Sequence, residues 1–304
     1  MGADASLIEV DWASFDPWRI QPVRHALGEH PLLQIDQLVA LGKRLERTDQ
    51  TFSFNSDAGA DADFNTVART HPNRNSTTDT LQRISEAKAW MLLRHVQADP
   101  VYCTLVDTVL DAIKPQVDRV DPGMCYRAGW IFVSSPHTVT PFHIDRNHVL
   151  LLQLCGTKTV YVWDADDVEV VSDHARAHFL DCHQLDLVQW HEAFRARAHV
   201  FELGPGMGVY MPLTSPHMVE IGDGASVAMS VSYNTDASRR RALLHVLRER
   251  LCEHHIELPP IGRHPLFDSV SHAGARALVD LHQLGRRMLG RSSISDGVPY
   301  ALAE

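Results

Sequence analysis

The 304-residue sequence predicts a mainly β core flanked by helices at both ends. Three observations carry that expectation. The hydrophobic period changes from helical to strand-like near Gly123 and back again near Asp236, eight short apolar runs fall between those points, and Gly, Pro, Asp and Asn separate them.

Residues 1–122 read as a mainly helical N-terminal region. Leu33, Leu38, Leu41 and Leu45 recur at mostly helical intervals within 30–47, and Leu81, Ile84, Met91 and Leu92 predict a second helix over 79–97. A third is expected over Pro100–Ile113, with proline in the first turn, where its missing N–H is no loss. The polar stretches Asn55–Asp63 and His71–Asp79 read as loops.

Residues 123–235 hold the runs WIFVS, TVTPFHID, HVLLLQL, KTVYVW, HVFEL, GVYM, HMVEI and SVAMSVSY, whose number and spacing predict an all-β barrel or sandwich. In 236–304, Asp236 reads as an N-cap, Leu243, Leu247 and Leu251 share a helical face, and Leu278, Leu281 and Met288 mark a further helix. The apolar faces of these C-terminal helices suit two partners, the β core or a second subunit in a homodimer.

Composition narrows the function. With 44% hydrophobic and 22% charged residues the chain has a globular composition, and no apolar run approaches the roughly 18 residues of a membrane-spanning helix. Asp and Glu outnumber Lys and Arg 38 to 28, a net charge of −10, which is the wrong sign for a protein that neutralises phosphates, so nucleic acid is excluded as the main partner. Five widely spaced cysteines without a C-x-x-C pair, and an N-terminus with no basic region before an apolar stretch, predict a cytoplasmic protein. Met1-Gly2 with Ser6 fits a myristoylation pattern, but no basic cluster follows it.

Thr140-Pro141-Phe142-His143-Ile144-Asp145 is the most informative segment. On an extended strand His143 and Asp145 leave the same face, and His217, beyond a Gly-rich turn and a Pro-containing bend, offers a third donor. Two imidazoles and one carboxylate form the facial triad of non-haem Fe(II) oxygenases, which leaves coordination positions open. H-x-D alone is weak among 19 histidines, since by itself a hydrogen-bonded strand pair is the plainer reading. A second cluster, His174, His178, Cys182 and His183, lacks another pair at structural-zinc spacing and reads as a His-rich loop.

The segment TVTPFHIDRNHVLLLQLCGTKTVYVW resembles the metal-binding segment of the Jumonji C-like cupin family of Fe(II)/2-oxoglutarate oxygenases, especially its asparaginyl-hydroxylase branch. The match comprises V-T-P-x-H-x-D, then Gln153, Gly156 and Lys158 at agreeing offsets, and extends over about 123–234. The resemblance implies a double-stranded β-helix, the cupin or jelly-roll barrel. It implies His143, Asp145 and His217 as iron ligands at the catalytic centre, and 2-oxoglutarate and O2 as cosubstrates. Lys158 would pair with the distal carboxylate of 2-oxoglutarate, Thr140 would hydrogen-bond it, and Asn234 would lie near it.

A lysine inside a β core is costly unless it meets an anion, which agrees with that role; a surface lysine on an edge strand is the other reading. Val149 replaces the branch's asparagine, and the offset of Asn234 from His217 also departs from its pattern. Tyr126, Arg127 and Trp130, on the strand entering the core, read either as substrate-cleft residues or as core packing. The expected activity is hydroxylation of an unactivated C–H on a protein or peptide side chain. The alternatives are a hydroxylase of a small metabolite or natural product, and a non-catalytic cupin sensor or regulator.

Overall fold

The computed structural model describes residues 6–256 and 258–288, so Met1 and Gly2 of the myristoylation pattern lie outside the described residues. In the N-terminal third, strands β1 (Ile8–Glu9), β2 (Gln21–His25), β3 (Thr51–Asn55) and β4 (Ala89–Leu93) alternate with helices α1 (Ile35–Glu46), α2 (Val67–Thr70), α3 (Thr77–Gln82) and α4 (Pro100–Val117). The helix expected over 79–97 stops at Gln82, and its second half is β4. All five residues of β4 are buried, so its hydrophobic pattern has no period to separate strand from helix.

The eight runs become β5 (Cys125–Ser134), β6 (Val139–His143), β7 (His148–Cys155), β8 (Lys158–Val162), β9 (His199–Leu203), β10 (Met207–Met211), β11 (His217–Ile221) and β12 (Ser226–Asn234). Helix α5 (Asp173–Cys182) links β8 to β9, and α6 (Asp236–Cys252) and α7 (Pro265–Met288) follow β12. Their starts are chemically marked. Asp99 accepts from the Val101 N–H ahead of Pro100, Ser172 caps α5, and α6 opens with a reciprocal capping box between Thr235 and Ser238, one residue before the expected cap at Asp236.

The mainly β double-stranded β-helix barrel expected from the sequence is not what forms. The strands make two separate antiparallel sheets, one of eight strands in the order β1-β2-β10-β7-β12-β5-β4-β3 and one of four in the order β6-β11-β8-β9, and among the described residues no ladder joins them into a closed barrel. The fold is mixed α/β. Four strands from the N-terminal third extend the large sheet at both edges. Hydrophobic period reports that a strand has a buried face; it does not report which neighbour the strand pairs with.

Between the two sheets, Val149, Leu151, Val209, Met211 and Ala228 pack against Val160, Val162, Leu203, Val219 and Ile221. The other face of the large sheet, through Leu150, Leu152, Ile131, Val133 and Met229, packs on α1 and α4. β7 therefore buries both faces, which explains its unbroken apolar run. No helix among the described residues is long and apolar enough to cross a membrane, and all five cysteines are unpaired.

Candidate metal centre

His143 and His217 are cross-strand partners, Cα opposite Cα, on β6 and β11. Their ring centroids are 4.1 Å apart, and His217 Nε2 lies 3.7 Å from Asp145 Oδ2. One donor atom from each of His143, Asp145 and His217 falls within 4.8 Å of the others, the one such group of three among the described residues.

Strand β6 ends at His143, so Asp145 stands in the turn beyond it rather than on the strand itself. Its carbonyl oxygen accepts from the Thr214 N–H at 2.9 Å, which ties that turn to the bend leading into β11. Thr214 has φ of 60°, a left-handed conformation unfavourable for a β-branched residue, and its position beside the cluster marks a bend held by its surroundings.

Pairing runs from His217↔His143 to Val219↔Thr140, two residues on β11 against three on β6. The extra residue is a β-bulge, and it lets Thr140 and His143 face the same cavity although they are an odd number apart.

The hydrogen bonds fix the tautomers. His143 Nδ1 lies 2.8 Å from the Pro141 carbonyl oxygen and His217 Nδ1 lies 3.0 Å from that of Ser215. A carbonyl only accepts, so each Nδ1 donates and each Nε2 keeps its lone pair for a metal. Burial, and then the neighbouring His217, push the His143 pKa down to about 4 against the opposing pull of Asp145, so the ring is neutral near pH 7. Phe64 stacks on His143 at 4.7 Å and fixes its plane.

The triad opens on a cavity of about 520 Å³ between the sheets. Lys158, at the start of β8, lines it, is 4% exposed, and has neither an ion pair nor a hydrogen bond among the described residues. Burial pushes its pKa down to about 7. Thr140 lines the same cavity, and its hydroxyl oxygen accepts from Trp90 Nε1 at 2.8 Å, leaving the hydroxyl hydrogen to donate elsewhere. The donor set suits a divalent transition metal, and an unpaired buried ammonium beside a free hydroxyl suits a carboxylate; the residues fit both groups.

Tyr126, Arg127 and Trp130 also line the cavity. Asn234 does not: it is buried at the end of β12, where its Oδ1 accepts from Ser238 Oγ at 3.2 Å. The His174, His178, Cys182, His183 cluster lies on a helix and its cap rather than in a loop. His174 binds Glu249 at 2.9 Å and His178 binds Asp186 at 3.0 Å, so its rings serve hydrogen bonds. Sequence reasoning missed Phe64, Trp90 and Arg94 on the cavity wall. The alternation of Trp90, Leu92 and Arg94 along AWMLLR was the available signal, hidden by the apolar residues between them.

The chain matches the family described as cupin-like domain over residues 10–239, and it belongs to that family. It is similar to ycfD of E. coli, at 15% identity and a TM-score of 0.45, with 85% of this chain and 64% of that chain covered. A structure of YcfD described as a ribosomal oxygenase from Escherichia coli, in complex with cobalt and 2-oxoglutarate, matches at 16% identity and a TM-score of 0.41, covering 81% and 58%. The DMSP lyase DddQ from Ruegeria pomeroyi DSS-3 matches at 16% identity and a TM-score of 0.23, covering 36% and 39%. At such TM-scores none of these likenesses bears on activity, which rests on the chain's own residues. No curated protein matches the chain.

Proposed function

We propose that this protein is an Fe(II)/2-oxoglutarate-dependent oxygenase that hydroxylates an unactivated C–H of a protein or peptide side chain. The observation that carries the reading is the conjunction, in one cavity, of a two-imidazole, one-carboxylate cluster with a buried lysine that has no counter-ion among the described residues.

In this reading His143 and His217 would hold the metal through their Nε2 lone pairs and Asp145 through its carboxylate, a donor set that would leave positions for other ligands. Bound iron and 2-oxoglutarate supply the oxidising chemistry: one atom of O2 ends as the product hydroxyl and the other in succinate as CO2 leaves. Lys158 binds the far carboxylate of the cosubstrate, and Thr140 donates its hydroxyl hydrogen to it. Phe64, Trp90, Leu92 and Phe132 keep bulk water from the wall around the reacting carbon. The protein-directed choice of substrate follows the resemblance of the metal-binding segment. A cytoplasmic setting, which suits five unpaired thiols, and a homodimer through α7 belong to the same reading.

Anaerobic reconstitution with Fe(II) tests it through the metal-to-ligand charge-transfer absorption that 2-oxoglutarate produces on chelating ferrous iron. A band that saturates with cosubstrate in wild type and needs more cosubstrate in Lys158→Ala is the expected result. Iron-loaded wild type without a band overturns the reading.

A further inference from the structure

The cavity reverses the sign of the chain. The protein carries a net charge of −10, yet the charged side chains on the cavity wall are Arg94, Arg127, Arg146 and Lys158 against the carboxylate of Asp145. Most of these cations are engaged. Arg127 is held by Asp107 at 3.1 Å and Asp111 at 2.7 Å, Arg146 donates to His183 Nδ1 at 3.2 Å, and Lys158 serves the cosubstrate in the reading above.

Arg94 is different. Its Nη2 donates to the Asp49 carbonyl oxygen at 2.7 Å and its guanidinium sits 5.9 Å from the centre of the Phe52 ring, but no carboxylate reaches it among the described residues. Its Nε is buried without a hydrogen-bond partner among the described residues. A buried donor on a permanently charged group is expensive to leave unmatched, and a carboxylate is the acceptor that best fits the guanidinium fork.

The sheet register places this group. Leu92 pairs with Phe132 and Leu93 with Ile131, so Arg94 falls in line with Trp130, which pairs in turn with Ser230. Arg94, Trp130 and Ser230 thus form one row on the inner face of the large sheet, the next beyond Phe132, and all line the cavity. Asn147 Nδ2, in the loop between β6 and β7, is a second buried donor lining the cavity without a partner among the described residues. Burial first, and then the Arg94 charge, push the His95 pKa down, which leaves that neighbour neutral beside the guanidinium.

We infer that the substrate carries a carboxylate, bound by Arg94 on the row of Trp130 and Ser230, with its apolar part against Trp130 and Phe132 and one C–H turned to the metal centre. This deepens the oxygenase reading and rests on it. The carboxylate belongs either to an aspartyl or glutamyl residue of a peptide or to a free small acid.

The test sets peptides with a central Asp or Glu against the same peptides with Asn or Gln, and small monocarboxylic acids against their primary amides. Two quantities are read: calorimetric binding to the protein without iron, and succinate formed above the substrate-free rate by the protein loaded with Fe(II) and 2-oxoglutarate. Wild type is expected to favour acids over amides by roughly tenfold to a hundredfold, a preference lost in Arg94→Gln and kept in part in Arg94→Lys. A response confined to the peptide arm assigns an acidic side chain, and one confined to the other arm assigns a free acid. Amides that bind as well as acids, no binding in either acid arm, or a preference that survives Arg94→Gln overturns the inference. Failure of the oxygenase reading is separate: it shows as a missing charge-transfer band, while calorimetry without iron still reports on Arg94.

Discussion

Lys158 holds its proton only against the cost of burial, which brings its pKa from the ordinary lysine range down to about 7. Between that value and the ordinary pKa of about 10.4 the unfolded chain binds more protons than the folded one, so this residue makes the ligand-free protein more stable as pH rises through that window. Carboxylate binding runs the other way. The ammonium is the form that pairs with an anion, so above about pH 7 binding takes up a proton, and 2-oxoglutarate affinity falls by up to about tenfold per pH unit. Calorimetry from about pH 6.5 to about pH 8.5 should show this loss; an affinity flat across the range would remove Lys158 from the cosubstrate site. The H-x-D pair was legible as a candidate from residue type and short spacing, and Lys158 from the resemblance of its segment; the structure lines one cavity with both. Arg94 was not legible, because its significance is the absence of a carboxylate around it, and that depends on neighbours distant in the chain.

Element boundaries show the same division. The eight runs from β5 to β12 could be read because Gly, Pro, Asp and Asn break the chain between them, and turn chemistry is local. β4 could not, because a strand buried on both faces has the composition of a buried helix. The bulge in β6 was also hidden, since it is defined only against β11. Gly156, in the turn between β7 and β8, links sequence and element directly. It has φ of +72°, and a Cβ there would press on the Ala225 carbonyl oxygen. Gly156→Ala is expected to cost roughly 1–3 kcal/mol and to weaken 2-oxoglutarate binding by shifting Lys158 two residues on. Denaturant unfolding checks the first part, and an unchanged midpoint would contradict it.

For the whole molecule, the large sheet takes strands from regions far apart in the chain, and the cavity wall does the same through β4, β5 and the small sheet. Among the described residues nothing covers one apolar face of helix α7: Leu266 is 86% exposed, Val270 74%, and Leu278 and Leu281 65% each. Leu266 and Leu281, Val270 and Ala277, and Ala273 and Gly274 stand in pairs about the point midway between residues 273 and 274, all on the exposed side. An antiparallel second copy would meet like with like, small residues at the centre and leucines at the ends, which is the self-complementarity a two-fold interface requires. Sedimentation should give a dimer in wild type and a monomer in Leu266→Glu/Leu281→Glu. A wild-type monomer at about micromolar concentration would remove this interface.

The sequence by itself determined the H-x-D strand, the lysine that follows it, the eight strands of the central region and the acidic balance of the chain. Each of these is written in neighbouring residues, through alternation, turn chemistry or charge count. Only the tertiary structure decided that the strands lie in two open sheets, that Asn234 turns from the cavity to Ser238, that Thr140 and His143 share a face across a bulge, and that Arg94 meets no carboxylate among the described residues. These depend on pairing and packing that the local pattern leaves open, where many partners satisfy the same pattern and the total burial selects among them.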